Sequence, residues 1–306
     1  MYADDDTDSI SDHNPYSLQD KIQIEADLST SWVRDNRMVC RGSKTKLIVV
    51  GTQELRKTKL VNNNLKLEIV VDGCRVVESE SERLLGLIVN NVMTWRHHLY
   101  GNEATKGLLN KLSYRVSLIY RLSKIMPRSR LKTFAEGIFF SVLNYGIGVY
   151  GNVWGIPNYD EGSRNSPAFT KDDNRRLQIL VNQVLRLLTG LDRETPITEL
   201  HDTSRQLSVQ QRCAFFSIVQ VYKTLKDNLP VYHFGRLDFR NIDRVTRSTQ
   251  SLNIDYKLSI SRCSFFYRGA KLYGLLPSEI TMLDKVVAFK KAVKTWTMKN
   301  IPLIPP

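Results

Sequence analysis

The chain has 306 residues, of which 42% are hydrophobic and 9% aromatic, and this composition excludes a disordered tail and a collagen-like protein. Lysine and arginine number 44 against 31 aspartates and glutamates, so the formal net charge is +13. The charge is uneven, because residues 1–30 hold eight acids and one base, and this pattern is typical either of a cation site beside a polyanion-binding surface or of a solvated acidic terminus.

The first 95 residues predict a mixture of helix and strand. A helix is expected from Pro15 to about Asp35, with Asn14 as its cap and proline at the first helical position. Short β-rich runs follow at residues 46–51, 65–71, 75–78 and 84–89, and the Asp72-Gly73 pair is typical of a hairpin turn.

From Arg96 onward the hydrophobic spacing becomes helical. One apolar stripe is formed by Leu108, Leu112, Val116, Ile119 and Tyr120. A second helix is expected after Pro127, a linker at residues 158–167, and a third helix that ends at Gly190. Further helices are predicted around residues 207–225 and 286–296, with a polar irregular stretch at 228–260 between them. The predicted fold class is therefore α+β and mostly helical.

Residues 137–159 carry no charge, which raises the question of a membrane span. Asparagines, glycines and Pro157 within the stretch favour a buried core helix that runs into a loop. The stretch also spells a Gly-x-Gly-x-x-Gly pattern at Gly146, Gly148 and Gly151, but the preceding run reads as helix rather than strand, so a dinucleotide site is not expected. Because the first residues are acidic, no signal peptide is expected at this end.

The four cysteines, Cys40, Cys74, Cys213 and Cys263, are widely spaced and form no Cys-x-x-Cys pair. This spacing argues against a zinc site and against a disulfide framework, and it favours a reducing compartment. His97 and His98 are adjacent, so they point to different faces and make a poor metal pair.

Five short motifs follow one another in a fixed order. Two adjacent carboxylates on a turn can present oxygen ligands to hard divalent cations, although an Asp-Asp pair alone is weak evidence. The motifs are Tyr2-Ala3-Asp4-Asp5, Trp32 to Asn36, Ser43-Lys44-Thr45, Leu84-Leu85-Gly86-Leu87 and Met93-Thr94-Trp95. In this order they resemble the later palm of reverse transcriptases, most closely those of non-LTR retrotransposons.

The helical remainder, including Phe265–Pro277, is similar to the thumb and C-terminal region of that family. The resemblance implies a partial palm at 1–95, thumb helices at 96–157 and a helical C-terminal region at 158–306. It also implies RNA-templated DNA synthesis with two Mg²⁺ ions, an RNA template and DNA primer as partners, and a dNTP in the intact enzyme. No membrane partner is expected, and the expected location is intracellular, with the nucleus favoured over the cytoplasm.

The resemblance assigns roles to individual residues. Asp4 would be the direct metal ligand and Asp5 its neighbour near the primer end, while Lys44 would lie near the triphosphate and assist departure of pyrophosphate. Leu85 and Gly86 would form the primer grip. The alternatives are that Lys44 is an ordinary exposed lysine and Gly86 a plain hairpin glycine.

Residues 96–132 hold nine bases and one acid, Glu103. We expect this stretch to contact a sugar-phosphate backbone, although a solvated basic face is the alternative. The nucleic-acid-binding residues predicted here are Lys106, Lys111, Arg115, Arg121, Lys124 and Arg128. Tyr114 could stack on bases, whereas core packing is favoured for Tyr120. A second, weaker basic cluster lies at residues 285–299.

The resemblance lacks one part of the family's site. A further palm carboxylate and the finger residues, which lie upstream in the family, have no counterpart before Met1. A two-ion site with one anchoring carboxylate missing should bind metal weakly, and about 1 Å of misplacement can cost about a hundredfold in rate. The chain alone is therefore expected to be inactive as a polymerase. The alternatives are a non-enzymatic nucleic-acid-binding remnant, and an unproductive pseudogene or a misassigned start at Met1.

Overall fold

The structure is a computed structural model that describes residues 7–102, 105–155, 168–227, 238–239, 252–253 and 265–303. The expected metal-binding turn at Asp4 and Asp5 and the expected linker at 158–167 lie outside the described residues. The chain forms two compact units, Met1–His97 and His98–Pro306. The assignment of these units to palm and thumb stays a prediction.

The first unit contains two helices and two β-hairpins. The helices are α1 (Pro15–Asp35) and α2 (Gln53–Lys59), with a 3₁₀ turn at Val61–Asn63. The strands β1 (Glu68–Val71) and β2 (Cys74–Val77) pair antiparallel, as do β3 (Ser81–Leu84) and β4 (Leu87–Asn90). These elements confirm the mixed α and β character expected for this part of the chain.

Two local predictions for this unit are confirmed. Helix α1 has the expected bounds, and the Asn14 side chain accepts a hydrogen bond of 3.0 Å from the Tyr16 amide. Asp72 and Gly73, with φ of 49° and 77°, form the two-residue turn between β1 and β2.

Two predicted strands are wrong. Residues 46–51 form no strand, since the segment reaches the hairpins through separate contacts: a parallel bridge between Leu47 and Glu78 and a bond from the Gly51 amide to Asn91. Residues 84–89 are the tip of the β3–β4 hairpin rather than one strand. Leu85, at the first turn position, extends the apolar run, so the hydrophobic pattern alone did not indicate that the chain reverses there.

Helix α1 covers one edge of the first hairpin. Its inner face packs Leu18, Ile22 and Ala26 against a core of six buried side chains: Leu47, Leu60, Leu67, Ile69, Val71 and Val76. The Gln23 amide accepts from the Val70 N–H at 2.8 Å and donates to the Val70 carbonyl at 3.0 Å. Gln19 makes the same pair of bonds with Glu68. The two glutamines therefore replace a neighbouring strand along β1.

The elements described in the second unit are helices and one short strand pair. Helix α3 (Arg96–Tyr100) crosses the boundary between the units. The helices that follow are α4 (Leu108–Ser123), α5 (Arg128–Ala135), a π-helical turn (Glu136–Phe140), α6 (Ser141–Asn144), α7 (Ile147–Tyr150), α8 (Lys171–Thr189), α9 (Ile197–Ser204), α10 (Val209–Asp227), α11 (Phe265–Gly274), α12 (Ser278–Thr281) and α13 (Val286–Asn300). Strands β5 (Asp238–Phe239) and β6 (Leu252–Asn253) pair antiparallel.

Helix α10 lies at the centre of this unit. It packs against α7, α8, α11 and α13, and side chains are buried on all its faces, which is expected of a helix enclosed by others. Helix α4 packs on α8, and α8 on α9. Gly190, with φ of 75°, ends α8 at the predicted position.

Several side chains of the uncharged stretch lie in the core of this unit. Phe139, Phe140 and Leu143 have no exposed surface, which agrees with the expected buried helix. None of the described helices combines the length and the apolar character needed to cross a bilayer. One expectation fails: Tyr120 is 51% exposed, because it lies about 100° around α4 from the buried Ile119.

Candidate nucleic-acid interface

The charged side chains on helices α4 and α5 are all basic. Residues 105–135 contain eight bases and no acid. The bases are Lys106, Lys111, Arg115, Arg121, Lys124, Arg128, Arg130 and Lys132. Six of them are exposed and two, Lys111 and Arg115, are half-buried. The stretch therefore presents positive charge to solvent without local neutralisation by acids of its own sequence.

The amphipathic pattern of α4 decides which bases face solvent. Leu108, Leu112 and Ile119 are buried on one side. At about 100° per residue, Arg121 lies opposite Leu112, next to Tyr114, which is 66% exposed. Lys124 places its Nζ 4.7 Å from the centre of the Tyr120 ring. Aromatic surface and positive charge thus alternate on the solvent side of α4.

Two of the predicted contact residues also make structural bonds. The Arg115 guanidinium donates to the Lys111 carbonyl at 3.0 Å, which holds its stem along the helix. The Arg128 guanidinium donates to the Thr189 carbonyl at 3.0 Å, at the C-terminal end of α8. A cation at that position interacts favourably with the helix dipole.

The expected primer grip is the tip of the β3–β4 hairpin. Leu85 and Gly86 occupy the two turn positions, with φ of 45° and 84°. The Leu85 side chain is 55% exposed. A non-glycine residue in the left-handed region costs on the order of 1 kcal/mol, so the fold holds a strained leucine at an exposed turn.

Lys44 lies on an exposed turn of the first unit. The Lys44 amide donates to the Arg41 carbonyl at 2.9 Å. The same turn lies tightly against the β1–β2 hairpin, since a Cβ on Gly42 would lie 2.3 Å from the Val71 carbonyl oxygen. Lys44 is therefore presented to solvent by a firmly seated loop, while its place beside a triphosphate stays a prediction.

The structure does not test the expected metal ligands. Asp4 and Asp5 lie outside the described residues, and the described part of the chain contains no group of three or more His, Cys, Asp or Glu residues able to hold a metal ion. Further along, Asp8 accepts from the Ser29 hydroxyl at 2.9 Å, and Asp12 accepts from Ser17 and Lys21. These bonds attach the acidic segment to α1.

The carboxylate of Asp12 is stabilised in its charged form. The Asn14 amide donates to it at 2.8 Å, and the bonds from Lys21 and Ser17 add to this effect. The backbone N–H of Asn14 first, and these side chains next, lower the pKa of Asp12 far below its usual range. Asp12 is thus occupied in fixing the chain to α1.

Sequence reasoning missed a buried polar network around Arg212. Its guanidinium donates to the Leu207 carbonyl at 3.0 Å, to Asn144 at 3.1 Å and to Gln206 at 2.7 Å. It also lies 4.2 Å from the Phe140 ring centre. Burial lowers the pKa of Arg212 to about 10. In the sequence this arginine is indistinguishable from a surface cation.

His201 extends the same network. Its Nδ1 donates to the Gln206 carbonyl at 2.8 Å, so its Nε2 is the acceptor for the Gln178 amide at 3.1 Å. The bond that Nε2 accepts requires the neutral ring, and burial lowers the pKa of His201. The histidine therefore orders the α9–α10 connection.

Arg268 is a second buried arginine that the sequence did not reveal. It is 1% exposed, and its Nη1 donates to the Gly151 carbonyl at 2.5 Å. Its Nη2 donates to the carbonyls of Gly148 and Val149. The guanidinium thus satisfies the C-terminal carbonyls of α7, which have no partners within that short helix.

Comparisons with protein-family models, characterised proteins and solved structures gave no match for this chain. Its function is therefore inferred from its own residues and contacts.

Proposed function

We propose that the chain is the C-terminal palm and thumb part of an RNA-directed DNA polymerase of the non-LTR retrotransposon type, and that α4 and α5 bind the RNA/DNA duplex. The observation that carries the proposal is the run of eight bases without an acid at residues 105–135. The ordered sequence motifs support the palm assignment.

The surface of α4 and α5 suits a sugar-phosphate backbone. Cations that neutralise phosphates release condensed counterions, which makes binding strong at low salt and largely independent of sequence. The exposed rings of Tyr114 and Tyr120 can stack on unpaired bases beside the duplex. Arg121 and Lys124, both exposed, lie one and four residues beyond Tyr120 along the helix.

The nucleotidyl-transfer site would use Asp4 and Asp5 as Mg²⁺ ligands. Bound Mg²⁺ would activate the primer hydroxyl and stabilise the leaving oxygen. Lys44 would add positive charge near the triphosphate, and the turn at Leu85 and Gly86 would contact the primer strand. The motifs matched here do not include the family's upstream carboxylate, so residues 1–306 alone should bind duplex without extending it.

The test is binding and extension on one labelled RNA/DNA primer–template. Fluorescence anisotropy should show affinity that falls on the order of a thousandfold between 50 and 200 mM salt, as expected for about six phosphate contacts. No dNTP should be incorporated in the presence of Mg²⁺. Affinity that does not change with salt would contradict the duplex-binding proposal, and robust extension would contradict the inactivity of this chain.

The second candidate is a non-enzymatic nucleic-acid-binding protein. It is favoured because the run of eight bases lies entirely in the second unit, whereas the expected metal ligands belong to the first. Substituting Asp4→Asn and Asp5→Asn separates the two. If the chain is part of a polymerase, the double variant should lose the Mg²⁺ binding that calorimetry measures in the unchanged chain. The matched pair Asp192→Asn and Asp202→Asn, both exposed, should change nothing. Unchanged Mg²⁺ binding in the first double variant would favour the binding protein.

A further inference from the structure

The outer face of α1 carries three large apolar side chains in one row. Ile24, Leu28 and Trp32 are 59%, 60% and 47% exposed. Their spacing of four residues places them on one side of the helix. That side lies opposite Ile22 and Ala26, which pack on the core. A row of this kind on a helix already seated in its own core is typical of a binding face.

Carboxylates flank the apolar row. Asp20, Asp27 and Asp35 are exposed on or beside the same face. The two bases of α1, Lys21 and Arg34, are paired with Asp12 and Asp72 at 2.5 and 2.8 Å. The net charge around the row is therefore negative, in contrast to the basic character of the whole chain.

A groove adjoins the row between α1 and the β1–β2 turn. Its cavity measures about 350 Å³. Its lining is mostly polar and consists of Gln23, Asp27, Thr30, Ser31, Arg34 and Asp72, together with Val70 and Gly73. The Asp27 carboxylate accepts one bond from Gln23 at 2.9 Å and is exposed. The groove can thus receive a cationic side chain from a ligand seated on the apolar row.

We propose that this outer face of α1 docks an amphipathic, basic helix of a partner protein. Apolar anchors of the partner would cover Ile24, Leu28 and Trp32, and a lysine or arginine would enter the groove beside Asp27. Charge complementarity selects this occupant, because an acidic rim repels nucleic acid and anionic lipid surfaces and attracts a basic helix. The site lies in the first unit, whereas the proposed duplex-binding helices α4 and α5 belong to the second unit.

The probe is a fluorescein-labelled, 18-residue helical peptide with leucines on one face and lysines on the other faces. Chain 1–306 should bind it, and Leu28→Asp should weaken binding about tenfold, as expected for a central apolar anchor. Asp27→Asn should weaken binding less and reduce its salt dependence. Val287→Asp, which removes an 81% exposed apolar side chain on α13, is the matched control and should have no effect.

Two peptide controls and one mass measurement complete the test. A peptide with glutamate in place of lysine, and one of the same composition with its leucines dispersed, should both fail to bind. Equal binding of the probe to Leu28→Asp and to the unchanged chain would overturn the proposal. Light scattering is a second measurement that could contradict the proposal. If chain 1–306 is a dimer and Leu28→Asp dissociates it, the face binds a second copy of the chain and not a partner helix.

Discussion

The guanidinium of Arg128 donates a hydrogen bond of 3.0 Å to the carbonyl of Thr189 and so joins the first turn of α5 to the last turn of α8. A Cβ on Gly190 would lie 1.9 Å from the Nη2 of the same arginine. The missing side chain at Gly190, where α8 ends, therefore leaves the space that the guanidinium of Arg128 occupies. One member of the basic surface thus has a structural role in addition to its charge.

Substituting Arg128→Gln should lower the free energy of unfolding by about 1 kcal/mol, because it removes a cation from the C-terminal end of α8. Arg130→Gln is the matched control, since Arg130 is an exposed base two residues away. It should lower the free energy of unfolding by less than about 0.5 kcal/mol. Urea denaturation measures both, and equal stability of the two variants would contradict the capping role of Arg128.

Substituting Leu85→Asn should raise stability. Asparagine adopts positive φ more readily than leucine, and Asn-Gly is the favoured pair in this type of turn. The expected gain is about 1 kcal/mol in the free energy of unfolding, measured by urea denaturation. If the exposed leucine contacts the primer, the same variant should bind primer–template more weakly. A loss of stability would show that Leu85 is held by packing rather than strained.

The double variant Arg121→Gln, Lys124→Gln should reduce the salt dependence of nucleic-acid binding. Each lost phosphate contact lowers the slope of log affinity against log salt by about 0.9, so a fall of about 1.8 is expected. Lys57→Gln, Lys59→Gln on α2 removes two exposed lysines elsewhere and should leave the slope unchanged. Equal slopes for the two double variants would indicate non-specific attraction to the whole basic chain.

The stability of the second unit should fall as pH is lowered from about 6.5 towards 4. Burial, together with the charge of Lys111, lowers the pKa of His98 to about 4. Because the unfolded chain takes up this proton first, the free energy of unfolding rises with pH across that window and levels off below it. His201, whose pKa burial also lowers, acts in the same direction.

The variant His98→Gln isolates this effect. It should flatten the pH dependence of the urea midpoint between pH 6.5 and 4 relative to the unchanged chain. His13→Gln replaces an exposed histidine of the first unit and should leave the profile as it is. Identical profiles for all three proteins would refute the contribution of His98.

Helix ends and turns were predictable because their signals are local. Asn14 and Pro15 begin α1, Gly190 ends α8, and Asp72-Gly73 turns the first hairpin, each through the conformation of one or two residues. The single strand predicted at 84–89 was wrong because Leu85 gives no turn signal, and only the alternative interpretation of Gly86 as a hairpin glycine indicated the turn between β3 and β4.

The candidate interface was predictable as a charge pattern but not as a set of contacts. Arg121 and Lys124, two of the predicted contact residues, are exposed, while their contact with nucleic acid stays a prediction. Helical periodicity could not reveal that Arg128 bonds to a helix far along the chain, or that Arg212 and Arg268 are buried. A buried arginine depends on carbonyls and amides supplied by distant segments, and no sequence window contains both partners.

The bond from Arg268 to Gly151 joins residues 117 positions apart. A ribosome therefore releases α7 long before it releases the arginine that satisfies the carbonyls of α7. Since synthesis proceeds from the N-terminus, the bonds from Arg268 to the carbonyls at the end of α7 can form only after α11 has been synthesised. The complete set of hydrogen bonds at the end of α7 therefore depends on a segment near the other end of the second unit.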